Sequence, residues 1–340
     1  MRVLVTGGAG YIGSHAALRL LGDGHEVVVL DDFSRGNRGA VEVLARAGGE
    51  SFRCVEADLA NTRAVADALR SSRIEAVLHF AALAYVGESV HEPRRYYEVN
   101  TAGALSLLRA MREAGVDRIV FSSTCATYGE PPADAIPIRE ETPQRPVNPY
   151  GRSKLFFESI LRDECAVPDA ARPLAAIALR YFNVAGCDAH GRLGEDHRPE
   201  THLIPIALEV ALGKRDALTI FGDDYATPDG TCIRDYVHVD DLVAAHVAAL
   251  GALRHGEFRA WNIGIGRGYS VREVVESCRR VTGHAIPTRA GARRAGDPPV
   301  LFADASAIRR DLGWTPGCTE LDGIVRSAWN WMRANPAGYA

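Results

Sequence analysis

Residues 3–13 read VLVTGGAGYIG. A short apolar run that suits a buried strand meets three glycines spaced G-x-x-G-x-x-G, and a helix-like stretch follows. Gly7 permits a tight turn, Gly10 lets a pyrophosphate approach the backbone, and Gly13 lets the helix pack on the strand. The helix start then turns N–H groups and the positive end of its dipole toward phosphate. The alternative is a plain tight turn, but a loop held between strand and helix favours a dinucleotide site. Asp31 and Asp32 end the next apolar run, about twenty residues on. A carboxylate there accepts from ribose hydroxyls and repels a 2′-phosphate, which favours NAD over NADP. Arg35 and Arg38 give the competing signal, since either suits a phosphate; the aspartates outweigh them. Asp58 and Leu59 follow the third run. They suit an adenine, or else the start of a helix that Asn61 also can cap.

Apolar runs recur at Val3–Val5, Val27–Leu30, Ala76–Leu78, Ile119–Phe121 and Ala175–Leu179, with a weaker run at 51–55. Helix-like stretches alternate with them at 11–22, 38–47, 61–70, 93–114 and 149–165. Continuous apolar strands between helices predict an α/β fold, a Rossmann-type doubly wound parallel sheet. After about residue 180 Gly, Pro and Asp become frequent, as in VAGCDAHGRLGEDHRPE and FGDDYATPDGT, a texture typical of binding loops. Short helices are expected at 202–212, 240–251, 270–282, 305–312 and 321–333. The expected division is a dinucleotide-binding domain over 1–180 and a smaller α/β substrate lobe over 181–340, from which some strands return to the first sheet.

Composition excludes several classes. The 340 residues carry a formal charge of -4 and are 47% apolar, an ordinary globular balance that gives no reason to expect nucleic acid or an anionic membrane surface as partner. No apolar run reaches the eighteen or so residues of a membrane span. The first residues, MRVLVTGGAG, enter a strand at once and leave no room for a signal peptide. Seven cysteines, an odd number with no C-x-x-C pair, argue against a disulfide framework or zinc knuckle and fit a reducing cytoplasm. The eleven histidines show no H-x-x-x-H pair backed by a carboxylate. Most of them read as surface or packing residues, and no metal is expected.

The stretch 148–154, NPYGRSK, places Tyr150 and Lys154 one helical turn apart. A tyrosine in water has a pKa near 10, and lowering it by on the order of 3 units means favouring phenolate by about 4 kcal/mol. An ammonium one turn away supplies part of that, and a nicotinamide cation more. Beside NAD the pair makes an activated phenol that takes a proton from a hydroxyl as hydride leaves the same carbon. The run Ile119–Phe121 ends in SSTCATYG, which brings Ser122, Ser123 and Thr124 to the carboxyl end of a strand, where such sheets bind ligands.

With these parts together the chain resembles the extended short-chain dehydrogenase/reductases, and within them the enzymes that invert C4 of nucleotide sugars. The resemblance runs along nearly the whole length on VTGGAGYIGSH, HFAALAYVGESV, FSSTCATYGE, NPYGRSK, LRYFNVAG, FGDDYATPDGTCIRDYVHV, WNIG and RRAGD. It implies a tightly held NAD that is regenerated in each cycle, with contacts from Gly7, Gly10, Tyr11, Ile12, Gly13, Asp31, Asp32, Asp58, Leu59, Phe80, Ala81, Ala82, Asn100, Ser122, Tyr150, Lys154 and Phe182. It implies a UDP-sugar held by Thr124, Asn183, His202, Leu203, Thr219, Phe221, Arg234, Arg294, Asp297 and Leu301. Catalysis falls to Tyr150, Lys154 and Thr124, and the implied reaction interconverts UDP-galactose and UDP-glucose through a 4-keto sugar. The arginines suit a diphosphate; for Arg234 the alternative is a salt bridge to the neighbouring acidic loop. A homodimer through helices 93–114 and 149–165 is implied as well.

The chain departs from the family's pattern in three places. Thr124 stands where a serine is frequent, which keeps the hydroxyl. Ala84 and Tyr85 stand where some members carry a lysine that reaches the cofactor. Leu301 stands where some carry a tyrosine, which opens the question of sugar size. Four other readings stay open. A UDP-arabinose/UDP-xylose epimerase has similar motifs, and a UDP-N-acetylhexosamine epimerase would exploit a roomier pocket. A 4,6-dehydratase needs a carboxylate after the threonine, where this chain has Cys125 and Ala126. A non-catalytic NAD sensor has no need of Tyr150, Lys154 and Thr124 together.

Overall fold

The computed structural model describes residues 1–294 and 298–339. They fall into two compact units. Met1–Gly129, Gln144–Arg180 and Val243–Trp261 make the first, and Glu130–Pro143, Tyr181–Leu242 and Asn262–Ala340 the second.

The first unit alternates strand and helix. Its elements are β1 (Arg2–Thr6), α1 (Tyr11–Gly22), β2 (Glu26–Asp31), α2 (Arg38–Gly48), β3 (Phe52–Glu56), α3 (Thr62–Ser71) and β4 (Ala76–His79). Then come α4 (Val86–His91), α5 (Pro93–Tyr97), α6 (Ala104–Ala114), β5 (Arg118–Thr124), α7 (Pro149–Cys165) and β6 (Ala175–Tyr181). The expected helix 93–114 is one course interrupted by a π-type turn at Glu98–Gly103. Such turns cluster at functional positions because they re-aim side chains, and this one carries Asn100.

Seven strands form one sheet in the order β11-β6-β5-β4-β1-β2-β3, where β11 is Phe258–Ile263. The strands from β3 to β5 run parallel, with Val5 opposite Val29 and Leu78. The chain order reverses between β1 and β4, the switch point at which doubly wound sheets bind ligands. Buried Leu4, Leu30, Val77, Ile119, Phe121, Leu107, Met111, Phe157 and Leu161 make the core on one face.

The second unit is built from fragments. They are β7 (Asn183–Ala185), α8 (Leu203–Ala211), β8 (Leu218–Phe221), β9 (Ile233–Arg234) and β10 (Tyr236–His238), and after α9 (Val239–Ala252), β12 (Tyr269–Ser270), α10 (Val271–Thr282), β13 (Thr288–Gly291), β14 (Val300–Leu301), α11 (Ser306–Leu312) and α12 (Leu321–Ala334). Two strand pairs and one three-stranded sheet replace a continuous sheet. Its apolar core lies among α8, α10 and α12, on Ile204, Leu208, Val274, Cys278, Ile324, Val325, Trp329 and Trp331. A capping box at Ser270 and Glu273 opens α10, the arrangement that satisfies two helix-end donors at once.

Candidate active site

At the glycine loop, Gly7 has φ +69°, and a Cβ there would lie 2.5 Å from the backbone N of Ala81. At Gly13 a Cβ would meet the carbonyl oxygen of Gly7 at 2.1 Å. Two glycines are thus forced by close packing of β1, α1 and the chain after β4. Gly10 is less crowded: a Cβ there would meet only the Gly7 oxygen, tightly, at 3.3 Å. The start of α1 at Tyr11, Ile12 and Gly13 has no side-chain cap. Helix-start N–H groups have no intrahelical partner, so the loop fits a pyrophosphate by both shape and donors. Phe80 and Ala81 follow β4, with Phe80 N–H donating to Thr6 O at 3.0 Å. Ala82 completes that turn.

Asp31 is buried and takes 2.9 Å bonds from the N–H groups of Ala9 and Phe33. Burial pushes its carboxyl up, against these two donors. Each oxygen keeps a second acceptor direction, because a carboxylate offers about four. Asp32 is exposed and accepts from Ser34 N–H and Oγ. Both competing arginines are engaged: Arg35 pairs with Glu88 at 2.6 Å, and Arg38 pairs with Glu56 at 2.9 Å while lying over the Phe33 ring. Asp58 accepts from Ala60 N–H at 2.8 Å, and Asn61 caps α3. Leu59 is buried, and its carbonyl accepts from Ser106 Oγ.

Helix α7 places the tyrosine and lysine. Asn148 caps it by accepting from Gly151 N–H, and Pro149 takes the first position, where a missing N–H costs nothing. Tyr150 and Lys154 are then both buried, at 7% and 3% exposure. Tyr96 packs edge-on against the Tyr150 ring at 6.4 Å. The Lys154 ammonium donates to Ser122 O at 2.9 Å and lies over the Phe121 ring. Burial pushes Lys154 down to about 7, although Glu158 one turn on opposes the shift. His79 is pushed down to about 3, by burial first and the Lys154 charge second, so it is neutral beside the site. Thr124, at the end of β5, accepts from Ala126 N–H at 3.2 Å through Oγ1. That leaves its proton for donation.

Sequence reasoning missed what anchors this helix. Glu158 and Arg180 form a bidentate pair with closest approach 2.7 Å, both essentially inaccessible. Ser123 Oγ donates to Glu158, and Arg180 also donates to the Tyr128 hydroxyl at 2.8 Å. The pair ties α7 to β5 and β6. The signal was present: Tyr150, Lys154 and Glu158 recur at four-residue spacing, one face of one helix. Asn100 turns out to be a clamp: its amide accepts from Leu83 N–H and donates to Leu83 O and Ser153 Oγ, all within 3.0 Å.

The remaining expected residues lie in the second unit. Phe182 is buried, and Asn183 opens β7 with its N–H donating to Asp235 O. Thr219 and Phe221 point outward from β8, and the Arg294 guanidinium lies 4.2 Å over the Phe221 ring. Arg234 is part-buried at the end of β9. It donates to the carbonyls of Ile233 and Pro298 at 2.7 Å each. Leu301 is buried in β14, in register with Arg234. Asp297 lies outside the described residues. Asp235, which no motif flagged, is fully buried and accepts from the N–H groups of Ile265, Gly266 and Ala303; burial pushes it up to about 6.

Two of the histidines meet buried carboxylates. His202, which caps α8 just before Leu203, lies 2.9 Å from Glu200 and 3.0 Å from Glu195, and His197 lies 3.2 Å from Glu195.

Comparison with known proteins gives a consistent answer. The pattern of the NAD dependent epimerase/dehydratase family matches residues 3–264. The UDP-glucose 4-epimerase of Halalkalibacterium halodurans is 48% identical over 100% of this chain and 98% of its own. A probable UDP-arabinose 4-epimerase of Oryza sativa is 46% identical over 99% of this chain and 80% of its own. The crystal structure of a UDP-glucose 4-epimerase from Stenotrophomonas maltophila, with bound NAD and formylated UDP-arabinopyranose, superposes with a TM-score of 0.93 at 42% identity, covering 99% of both chains. With the glycine loop, the strand-end hydroxyls and the tyrosine–lysine helix all inside the matched span, the chain belongs to the NAD dependent epimerase/dehydratase family, within the extended short-chain dehydrogenase/reductases.

Proposed function

We propose that this protein is a UDP-sugar 4-epimerase that interconverts UDP-galactose and UDP-glucose. The observation that carries the reading is the full-length similarity to a UDP-glucose 4-epimerase, together with a buried tyrosine–lysine pair whose lysine bonds the strand that ends in Thr124. Gly7, Gly10, Tyr11, Ile12 and Gly13 hold the pyrophosphate of NAD, and Asp31 the adenosine ribose. NAD, when bound, takes up and gives back a hydride at C4 of the sugar. Tyr150 accepts the proton of the C4 hydroxyl and returns it once the flat 4-keto sugar has turned about its diphosphate linkage. No net oxidation results, since one proton and one hydride leave and both come back. Lys154 and Tyr150 act as a couple. The ammonium is costly alone in its buried place, and the phenolate is costly alone in its own. Together each offsets the other. Thr124 donates its free proton to the sugar and orients it. Asn183, His202, Leu203, Thr219, Phe221, Arg234, Arg294 and Asp297 serve the nucleotide.

The test is incubation of the purified protein with UDP-galactose, UDP-N-acetylglucosamine and UDP-arabinose, with no cofactor added. UDP-glucose formed from UDP-galactose is the expected product. A 6-deoxy-4-keto sugar would make it a dehydratase, and no turnover at all would make it an NAD sensor. The name of the rice relative and the ligand in the Stenotrophomonas structure favour a second reading, in which UDP-arabinose and UDP-xylose are the main pair; the UDP-arabinose arm decides it.

Homodimerisation is part of the same proposal. Val99 and Phe156 are 39% and 47% exposed on the helices expected to pair, and Phe156 lies against Tyr97. Phe156→Glu should convert a dimer to a monomer in light scattering. A cytoplasmic site is supported by seven cysteines that stand outside any disulfide. Among the described residues no helix is long and apolar enough to cross a membrane.

A further inference from the structure

The segment 195–202, EDHRPETH, gathers four side chains that take no part in the proposed proton and hydride transfers, and of them only His202 is also a proposed nucleotide contact. Glu195 Oε1 lies 3.2 Å from His197 Nδ1 and 3.0 Å from His202 Nδ1. Glu200 lies 2.9 Å from His202 Nδ1 and 3.6 Å from His197 Nδ1. One donor atom from each of the four residues falls within 4.8 Å of the others. A tetrahedral ion with bonds of about 2.0–2.1 Å keeps its ligands about 3.4 Å apart, and the four measured separations bracket that edge. The two carboxylates are nearly inaccessible, at 5% and 6% side-chain exposure.

Their surroundings hold them in place. Glu200 Oε1 accepts from the N–H groups of Thr201 and His202. Gly194 N–H donates to the Tyr339 hydroxyl, and Asp196 accepts from Tyr339 N–H. Backbone donors that aim a ligand carboxylate are the outer shell a metal site needs. A cavity of about 40 Å³ opens beside Glu195, His197 and Glu200, larger than the ~10–15 Å³ that one water occupies. There is thus room beside the cluster for water that an ion would shed. Charge balance also holds. Two imidazoliums with two carboxylates sum to zero, and so do two neutral imidazoles, two carboxylates and a divalent cation.

We infer that Glu195, His197, Glu200 and His202 form a closed, four-ligand site for a divalent transition metal, best matched by Zn²⁺. Two imidazoles with two carboxylates suit zinc, whereas magnesium and calcium call for six or more oxygens. All four positions come from protein, so the ion is structural. It pins the loop before α8 and fixes His202 at the start of that helix.

The test uses the full chain with its NAD, stripped of metal by a chelator and titrated with Zn²⁺ against a chromophoric competitor. One Zn²⁺ per chain with sub-micromolar affinity is expected. His197→Gln and Glu200→Gln should each weaken it by at least about 100-fold, beyond the 10–100-fold that loss of an outer-shell partner costs. Circular dichroism and NAD content report whether each variant has folded. Co²⁺ gives a readout on the unaltered protein: visible bands of a four-coordinate ion, without the near-ultraviolet band of a thiolate. The inference is overturned by absence of stoichiometric Zn²⁺ uptake, or by uptake that both substitutions leave intact. A thiolate band, which would put the ion on a cysteine, overturns it too, as does Mg²⁺ or Ca²⁺ binding as tight as Zn²⁺.

Discussion

The two units hold their candidate residues in opposite ways. In the first, Tyr150, Lys154 and Glu158 are buried on one long helix, and Arg180 on strand β6 of the continuous sheet braces Glu158. In the second, Thr219 and Phe221 are exposed on a four-residue strand, while Arg234 is held by carbonyls of its own neighbourhood. Proton transfer tolerates little displacement, since a misplacement of 1 Å can cost about 100-fold. Holding a nucleotide through many weak contacts tolerates more. The contrast predicts large, general losses from changes in the first unit and smaller, substrate-selective ones in the second.

The largest expected effect is on stability. Arg180→Met leaves the Glu158 carboxylate buried without its partner, and should cost about 3–5 kcal/mol in urea unfolding. Pairing it with Glu158→Leu should recover much of that loss. A loss below 1 kcal/mol for the single change would show that the brace is not where the first unit's rigidity resides.

Next comes chemistry. Tyr150→Phe should fold, keep its NAD and lose at least about 100-fold in kcat. If turnover stays near normal, the phenol is not the base, and the first unit loses its claim to the reaction.

For the second unit the expected effect is selective. Leu301→Tyr should lower kcat/KM for UDP-N-acetylglucosamine through overpacking worth about 1–3 kcal/mol, or roughly 5–150-fold, and leave UDP-galactose nearly unchanged. Equal losses on both sugars would mean that Leu301 serves the core of its unit alone.

The smallest effect is a slope. Folded Lys154 titrates at about 7, below its usual 10.5. Between those values the unfolded chain holds a proton that the folded chain has shed, so stability rises with pH across that window. Below 7 the ammonium is charged in both states, and its burial weighs fully against folding. One proton contributes at most about 1.4 kcal/mol per pH unit. Unfolding midpoints at pH 7, 8 and 9 should rise less steeply in Lys154→Met than in the unaltered protein; equal slopes would place the lysine's proton elsewhere.

What could be read from the residues follows the same divide. In the first unit the central strands hold unbroken apolar runs and Gly7 and Gly13 have a backbone reason, so Val3–Val5 and Val27–Leu30 fall inside β1 and β2, and helix 149–165 coincides with α7. Periodicity sees one element at a time, however. It cannot tell that Glu158 will meet Arg180, because 22 residues and a change from helix to strand separate them. Nor can it tell that the Asn100 amide will bond Leu83 and Ser153. In the second unit two-residue strands such as β9, β12 and β14 carry no period at all, and Asp235 gathers three backbone donors that are 30 or more positions further along. The Glu195–His202 cluster was hidden by a narrower cause: the spacing sought was H-x-x-x-H, while the chain spaces its histidines five apart with the carboxylates interleaved.

The edge strand β11 bears on how the chain acquires its shape during synthesis. β6 ends at Tyr181, and the strand that flanks it starts only at Phe258; Glu257 O accepts from Ala176 N–H beside that junction. Until the ribosome has delivered that segment, β6 stands at an open sheet edge with a row of unpaired backbone groups, the kind of edge on which chains associate wrongly. Late closure across so long a separation is slow, because the loop entropy is spent before the contact forms. A nascent chain stalled after residue 181 should therefore bind a chaperone that recognises extended strands, and release from it should track the emergence of β11.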